Sequence, residues 1–267
     1  MEQSLSLGKG QYSGKVGKLQ FLSGITLGST TYPESWRQIP MHSHQNPHIS
    51  LLLSGHHLEK RKGKEFCRKP GDVLFCRAGE SHQFISGSSA QNVNIELDQD
   101  FLKQYEISEN QIERALNQVD VKLKILKMFH ELTIQGKEME SSIQMLLLDL
   151  LHREKKEISS SPPPWFNTLL ILMHESWMEA LTLEELSLQS GVHPVSISKY
   201  FTKFLGCTFG EYRRKLKVSK SLELIKNSQL KLTEIAYQAG FADQSHFSRS
   251  FKSMVGFTPK AYQKWEA

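Results

Sequence analysis

Hydrophobic positions change their period twice along this chain. Between residues 15 and 98 short apolar runs (KLQFL, ITLGSTTY, HISLLLSG, EFCRKPGDVLFCRAG, HQFISG, VNIEL) alternate with Gly, Ser and Pro-Gly punctuation, which predicts an all-β sandwich or barrel. From Ser108 to about Glu157 the spacing becomes helical. Val121, Ile125, Met128 and Leu132 form one stripe, and Ile143, Leu146, Leu147, Leu150 and Leu151 form another after the Gly136 break, so two antiparallel helices are expected. An apolar stripe shows that a face is buried without saying against what. Packing on the β region and dimerisation therefore both stay open. The stretch SSSPPPW, residues 159 to 165, excludes a continuous helix and favours an extended spacer.

Beyond the spacer the chain repeats itself. LEELSLQSGVHPVSISKYFTKFLGCTFGEY (183 to 212) lies over LTEIAYQAGFADQSHFSRSFKSMVGFTPKAY (232 to 262), and each copy reads as helix, tight turn, helix. Thr182 and Thr233 are placed to cap the first helix of each copy. Gly191 and Gly240 fall just past it, where a left-handed residue ends a helix without steric cost. In the second helices Ile197, Phe201 and Phe204, and likewise Phe247, Phe251 and Met254, recur at i, i+4 and i+7 and should face a core. The opposite side carries Val195, Lys199 and Thr202 in one copy and Ser245, Arg249 and Lys252 in the other, with Ser198 and His246 on the flanks. An apolar back with a short polar-to-basic front suits a DNA major groove. The connector, about Phe209 to Asn227, lacks Pro and has one early Gly. As a helix it would set two reading helices about one DNA turn apart. Arg213, Arg214, Lys215, Lys217 and Lys220 along it are candidates for phosphate contacts.

Charge and cysteine content sharpen this picture. Of the net +5, most lies from Trp165 onward, where 13 Lys or Arg face 9 Asp or Glu, as an acidic polymer partner requires. Cys67, Cys76 and Cys207 show no close metal-type spacing and read as thiols of a reducing compartment. The first residues lack a basic start followed by an apolar core, and no apolar run approaches the roughly 18 residues of a membrane span. A cytoplasmic protein with no membrane partner is expected.

The stretch IAYQAGFADQSHFSRSFKSMVGFTPKAYQKW resembles the C-terminal signature of the AraC/XylS family of bacterial transcription regulators. Ala236, Gly240, Phe241, Ser245, Phe247, Arg249, Phe251, Lys252, Gly256, Pro259 and Tyr262 stand where that pattern wants them. The resemblance implies a seven-helix domain with two helix-turn-helix units, double-stranded promoter DNA as partner, and RNA polymerase as a second partner if the protein is an activator. It places the base-reading set on Val195, Ser198 and Lys199 and on Ser245, His246 and Arg249; Lys203 and Lys252 complete the candidate DNA contacts. At Val195, where relatives can carry a hydrogen-bonding side chain, only an apolar contact such as a thymine methyl is available.

MHSHQNPH, residues 41 to 48, carries the other candidate chemistry. His42, His44, His48 and Gly55, followed by Gly71, Gly79 and His82, keep the spacing of the two cupin motifs. His48 replaces the usual acid, and Arg77 stands where the second motif usually has Pro. This resembles a cupin. In the resemblance His42, His44, His48 and His82 are the metal ligands, and alternate residues such as His42 and His44 leave one face of a strand. Two readings stay open: a divalent-metal site for Zn, Ni, Cu or Fe, or histidines that line a pocket for an organic effector. Titration of the His cluster near neutrality is a weaker third. DNA reading itself needs no cofactor.

The expected fold class is thus α+β multidomain: a cupin-like β-barrel sensing an effector (1–107), a helical pair that is a candidate homodimer interface (108–158), a linker (159–164) and an all-α domain (165–267) with helix-turn-helix units at about 183–204 and 232–254. The expected function is a transcription regulator controlled by a small-molecule or metal effector, not an enzyme. The alternative, a metal-dependent cupin dioxygenase or isomerase with an appended DNA-binding domain, lacks a distinct general acid or base.

Overall fold

The structure, a computed structural model, describes residues 5–35, 39–86, 88–152, 161–179 and 181–265. Among these, ten strands form two five-stranded sheets. The first sheet runs β1 (Leu5–Leu7), β4 (His42–His44), β9 (His82–Ser86), β6 (His57–Arg61), β7 (Lys64–Arg68). The second runs β2 (Lys15–Phe21), β3 (Ile25–Tyr32), β10 (Ala90–Leu97), β5 (His48–Ser54), β8 (Val73–Cys76). The expected barrel is corrected here: no pairing among the described residues joins the two sheets.

Strand alternation gives the second sheet two different faces. Ile49, Leu51, Leu53, Val93, Ile95 and Leu97 belong to an apolar core shared with helices. Their neighbours His48, Ser50, Asn92, Asn94 and Glu96, also buried, face the first sheet. The space between the sheets is therefore unusually polar, and buried polar groups cost stability unless partnered.

Four helices cover the apolar face: α1 (Gln99–Gln104), α2 (Glu109–Ala115), α3 (Val121–Ile134) and α4 (Met139–His152). The α3/α4 pair is the expected one, and it packs on the second sheet. The two shorter helices were not anticipated, because six or seven residues are too few to show a helical period twice. Their N-caps, Asp98 and Ser108, each accept a bond from the amide three residues on. Arg77, at the departure from the cupin pattern, points away from the histidines and bonds Glu109, Asn110 and Glu113 on α2.

Seven helices follow among the described residues: α5 (Pro164–Glu175), α6 (Leu183–Ser190), α7 (Pro194–Tyr200), α8 (Phe209–Asn227), α9 (Leu232–Gln238), α10 (Gln244–Val255) and α11 (Pro259–Lys264). Of the expected spacer, Ser159 and Ser160 lie outside the described residues. Pro164 opens α5 at its first turn, where a missing N–H costs nothing. Helices α5 to α7 and the start of α8 close one core around Phe166, Leu186, Ile197 and Phe201. The residues of α9 to α11 instead join the core of the sheets and α1 to α4. Phe129 of α3 packs on Trp265 at 5.0 Å between ring centroids, and His130 on Phe257 at 4.4 Å.

Thr208 starts the 19-residue α8 with a reciprocal cap: its hydroxyl accepts from the Glu211 amide at 3.2 Å while Glu211 accepts from the Thr208 amide at 2.7 Å. Thr208→Ala should cost about 1 kcal/mol of stability, measured as a lower urea midpoint at unchanged slope.

Candidate functional site

The two repeats fold into matching hairpins. In the first, Thr182 and Glu185 complete a capping box on α6, and Gly191 ends the helix with φ of 67°. Gly240 follows α9 at the same φ. Thr233 does not cap α9. Glu234 accepts from the Lys231 amide at 2.6 Å instead, and the Thr233 hydroxyl donates to Gln244 at 2.6 Å, so the second copy starts its helix at Leu232, the position equivalent to Leu183 in the first. Asp243 caps α10 by accepting from the His246 amide at 2.7 Å.

The second helices sort their faces much as expected, with two changes. Ile197 and Phe201 are fully buried, as are Phe247 and Phe251, but the third core position of α10 is Val255, with Met254 only half-buried. In the first copy α7 gives way to a π-helical turn at Phe201–Leu205. The wider turn leaves Phe204 half-buried beside Tyr200 and lays the Lys203 ammonium over the Phe204 ring at 5.0 Å. Val195, Lys199, Lys203, Ser245, His246, Arg249 and Lys252 are exposed and Ser198 is half-buried. The eight candidates thus stand on the outer sides of α7 with its π turn and of α10.

Most of the basic residues on α8 have structural jobs, which corrects the reading of that row as phosphate contacts. Arg213 donates to the Leu181 carbonyl at 2.8 Å, the buried Lys217 donates to the Gly240 carbonyl at 2.8 Å, and Lys215 bridges to Asp120 at 2.8 Å. Arg214 alone of the five is exposed. One helix thereby ties both hairpins together and meets the turn before α3.

Between the sheets, strand pairing assembles the histidines. His42 and His82 face each other across the β4–β9 ladder, with ring centroids 4.4 Å apart, and the His44 and His48 rings lie 4.2 Å apart. One nitrogen each from His42, His44 and His82 fall within 4.8 Å of one another. Backbone carbonyls fix two of the rings: Pro40 O lies 2.8 Å from His42 Nδ1 and Glu80 O 3.1 Å from His82 Nδ1. This leaves the Nε2 atoms as lone-pair donors, with His42 Nε2 3.2 Å from the Ser13 hydroxyl and His82 Nε2 without a hydrogen-bond partner; a backbone-bonded Nδ1 is the arrangement that orients metal-binding imidazoles. Burial, reinforced by the neighbouring imidazoles, holds His44 down at about 3 and His48 well below the usual value; burial and His42 hold His82 at about 4. Burial lowers His42 as well. All four are neutral at physiological pH, the form that binds metals.

A buried ion pair lies on the same inner surface. Arg68 Nη1 approaches Glu59 at 3.7 Å, and its Nη2 donates to the carbonyls of Ser50 and Asp72 at 2.9 and 3.1 Å. Burial pushes Glu59 up to about 7 although Arg68 and Arg61 pull it down. Both Glu59 oxygens and His57 Nε2 lack a hydrogen-bond partner.

A family model described as an AraC-like ligand binding domain matches residues 25–152, and one described as a helix-turn-helix domain matches residues 186–264. Together they span well over half of the chain. It belongs to the AraC family of transcription regulators. Like other AraC-type proteins it is a DNA-binding regulator with an N-terminal ligand-binding domain. The relative YdeC of Bacillus subtilis, described as an uncharacterized HTH-type transcriptional regulator, is 22% identical over 265 residues, covering 85% of this chain and 86% of its own. The HTH-type transcriptional activator RhaR of Mannheimia succiniciproducens is 20% identical over 240 residues, covering 84% and 87%. Among solved structures, the C-terminal domain of AraT, a response regulator from Geobacillus stearothermophilus, is 28% identical over 39% of this chain and 88% of its own, with a TM-score of 0.37.

In this AraC-type ligand-binding domain, sequence reasoning missed Glu59, Arg68 and Cys76 as inner-face residues. Glu59 and Arg68 sit in HLEKR and KEFCR, whose charge density looks solvated. The one available signal was period two, which puts Glu59 on the same face as His57. No helix among the described residues is long and apolar enough to cross a membrane.

Proposed function

We propose that both hairpins are helix-turn-helix units and that this AraC-type regulator reads two successive major-groove segments of promoter DNA with one chain. The observation that carries this reading is the matched burial of α7 and α10: each hides its aromatic side and exposes the side bearing Val195, Ser198, Lys199 and Lys203, or Ser245, His246, Arg249 and Lys252. Between them α8 is about 28 Å long, which suits reading helices about one turn apart. Binding sites selected from random-sequence duplexes and then footprinted with hydroxyl radicals should show two protected segments about one helical turn apart. A single protected segment on every selected site would overturn the two-unit reading. On this reading the protein works in the cytoplasm, with RNA polymerase as its further partner where it activates.

The histidine-lined interior is the effector site, and its donor set fits a divalent metal. His42, His44, His48 and His82 would hold the ion as neutral imidazoles, with His42 and His82 already oriented by backbone acceptors. Bound there, the metal would supply directional bonds joining β4 and β9 of one sheet to β5 of the other. A ligand changes DNA affinity only by binding one arrangement of the protein better than another. The route available is α3, which packs on the second sheet and, through Phe129 and His130, on Trp265 and Phe257 at the end of the second hairpin.

A further inference from the structure

The histidine cluster has a fifth donor. Cys76 stands directly opposite His48 in the β5–β8 ladder, so the two side chains leave the same face of the sheet. They are 1% and 4% exposed. The Cys76 sulfur, one nitrogen of His48 and one nitrogen of His82 lie within 4.8 Å of one another. The triad of His42, His44 and His82 meets the same limit, and the two triads share His82.

Each histidine of this second triad also has a buried ring nitrogen without other employment. His48 Nδ1 and His82 Nε2 are buried with no hydrogen-bond partner, at a cost that a bound ion would remove. The thiol is held in place from both sides. Phe75 packs into the core shared with the helices, and Arg77 is bonded to Glu109, Asn110 and Glu113. The other two cysteines are elsewhere: Cys67 is exposed on β7, and Cys207 is in the core of the first hairpin.

We propose that Cys76 is a thiolate ligand of the metal centre, making it a mixed imidazole–thiolate site that takes a thiophilic divalent ion, zinc above all, in preference to magnesium or manganese. The inference rests on the reading of the histidines as a metal site. On binding, the sulfur–metal bond forms as the S–H bond breaks. The proton leaves to solvent and no electron is transferred. Because β8 lies between the donor set and the helical layer, the sulfur bond would tie occupancy of the site to the placement of α2.

The test is titration of the full-length, reduced, metal-stripped protein with cobalt(II), read by absorption. The expected result is one cobalt per chain with a sulfur-to-cobalt charge-transfer band in the near ultraviolet, displaced by zinc and untouched by excess magnesium. Cys76→Ser should abolish the band and weaken cobalt binding by about tenfold or more, whereas Cys67→Ser should keep it. Because the decisive band is read on the unaltered protein, a poorly folding variant does not leave the question open. Bound cobalt with visible d–d absorption but no sulfur band overturns the role of Cys76 and leaves the histidine site standing. No binding of cobalt or zinc overturns both.

Discussion

Arg249→Ala weakens binding to the selected operator by about 1–3 kcal/mol, roughly a five- to 150-fold loss, as removal of one bidentate base contact does. The size follows from position. Arg249 is exposed on α10, and the helix is held by Phe247, Phe251 and Val255 on its buried side. Truncating an exposed side chain leaves stability within about 0.5 kcal/mol, so the loss should appear in binding alone. It should also be confined to the operator, because a base contact carries sequence information and a phosphate contact does not. Lys252→Ala supplies the contrast: affinity falls about evenly on operator and scrambled duplex, and the salt slope shrinks by about one. Equilibrium titrations on both duplexes at several salt concentrations decide the matter. An operator affinity unchanged in Arg249→Ala removes that residue from the reading set.

Acidification is expected to destabilise the metal-free protein by about 4 kcal/mol between about pH 7 and about pH 5. His44 and His57 are held at about 3 and His82 at about 4, chiefly by burial, while each returns to about 6.5 on unfolding. A base with a lowered folded pKa contributes stability that is present above its unfolded value and lost as pH falls towards the folded one. At about pH 5 that is about 2 kcal/mol for each of the three. Glu59 acts in the opposite sense. With a folded value of about 7 against 4.5, it contributes stability that is present below the lower value and lost as pH rises through the higher one. Between about pH 7 and about pH 5 it returns about 2 kcal/mol. Three imidazoles outweigh one carboxyl, so the net effect is a loss. Urea unfolding of chelator-treated protein at the two pH values measures it, and a midpoint that stays level or rises on acidification contradicts the assignment of buried neutral histidines.

Legibility differed between the two halves. In the C-terminal half, the repeat placed Gly191 and Gly240 at positive φ, put Ile197, Phe201, Phe247 and Phe251 in the core, and put Lys199 and Arg249 outside. These are consequences of local helical geometry, which a period of 3.6 records directly. The misreadings there came from interactions between elements. Thr233 lost its capping role to a bond with Gln244, and Lys217 and Arg213 turned inward to carbonyls that sequence cannot place beside them. In the N-terminal half, alternation marked which residues share a face but not which face meets water, because both faces of β3, β5 and β10 are buried.

By itself, then, the sequence determined most of the strands, the paired helical hairpins with the Thr182 cap and the glycine turns, and a histidine spacing that brings metal chemistry into view. Local backbone geometry and side-chain period are enough for each of these. Only the tertiary structure decided that the sheets remain open, that Glu59 and Arg68 are buried as a pair, that Cys76 joins the histidines, and that the second hairpin shares its core with α3. Those outcomes depend on register between strands such as β5 and β8 and on contacts such as Phe129 with Trp265. The partners in these examples are separated by tens of residues or more, and no local period pairs them.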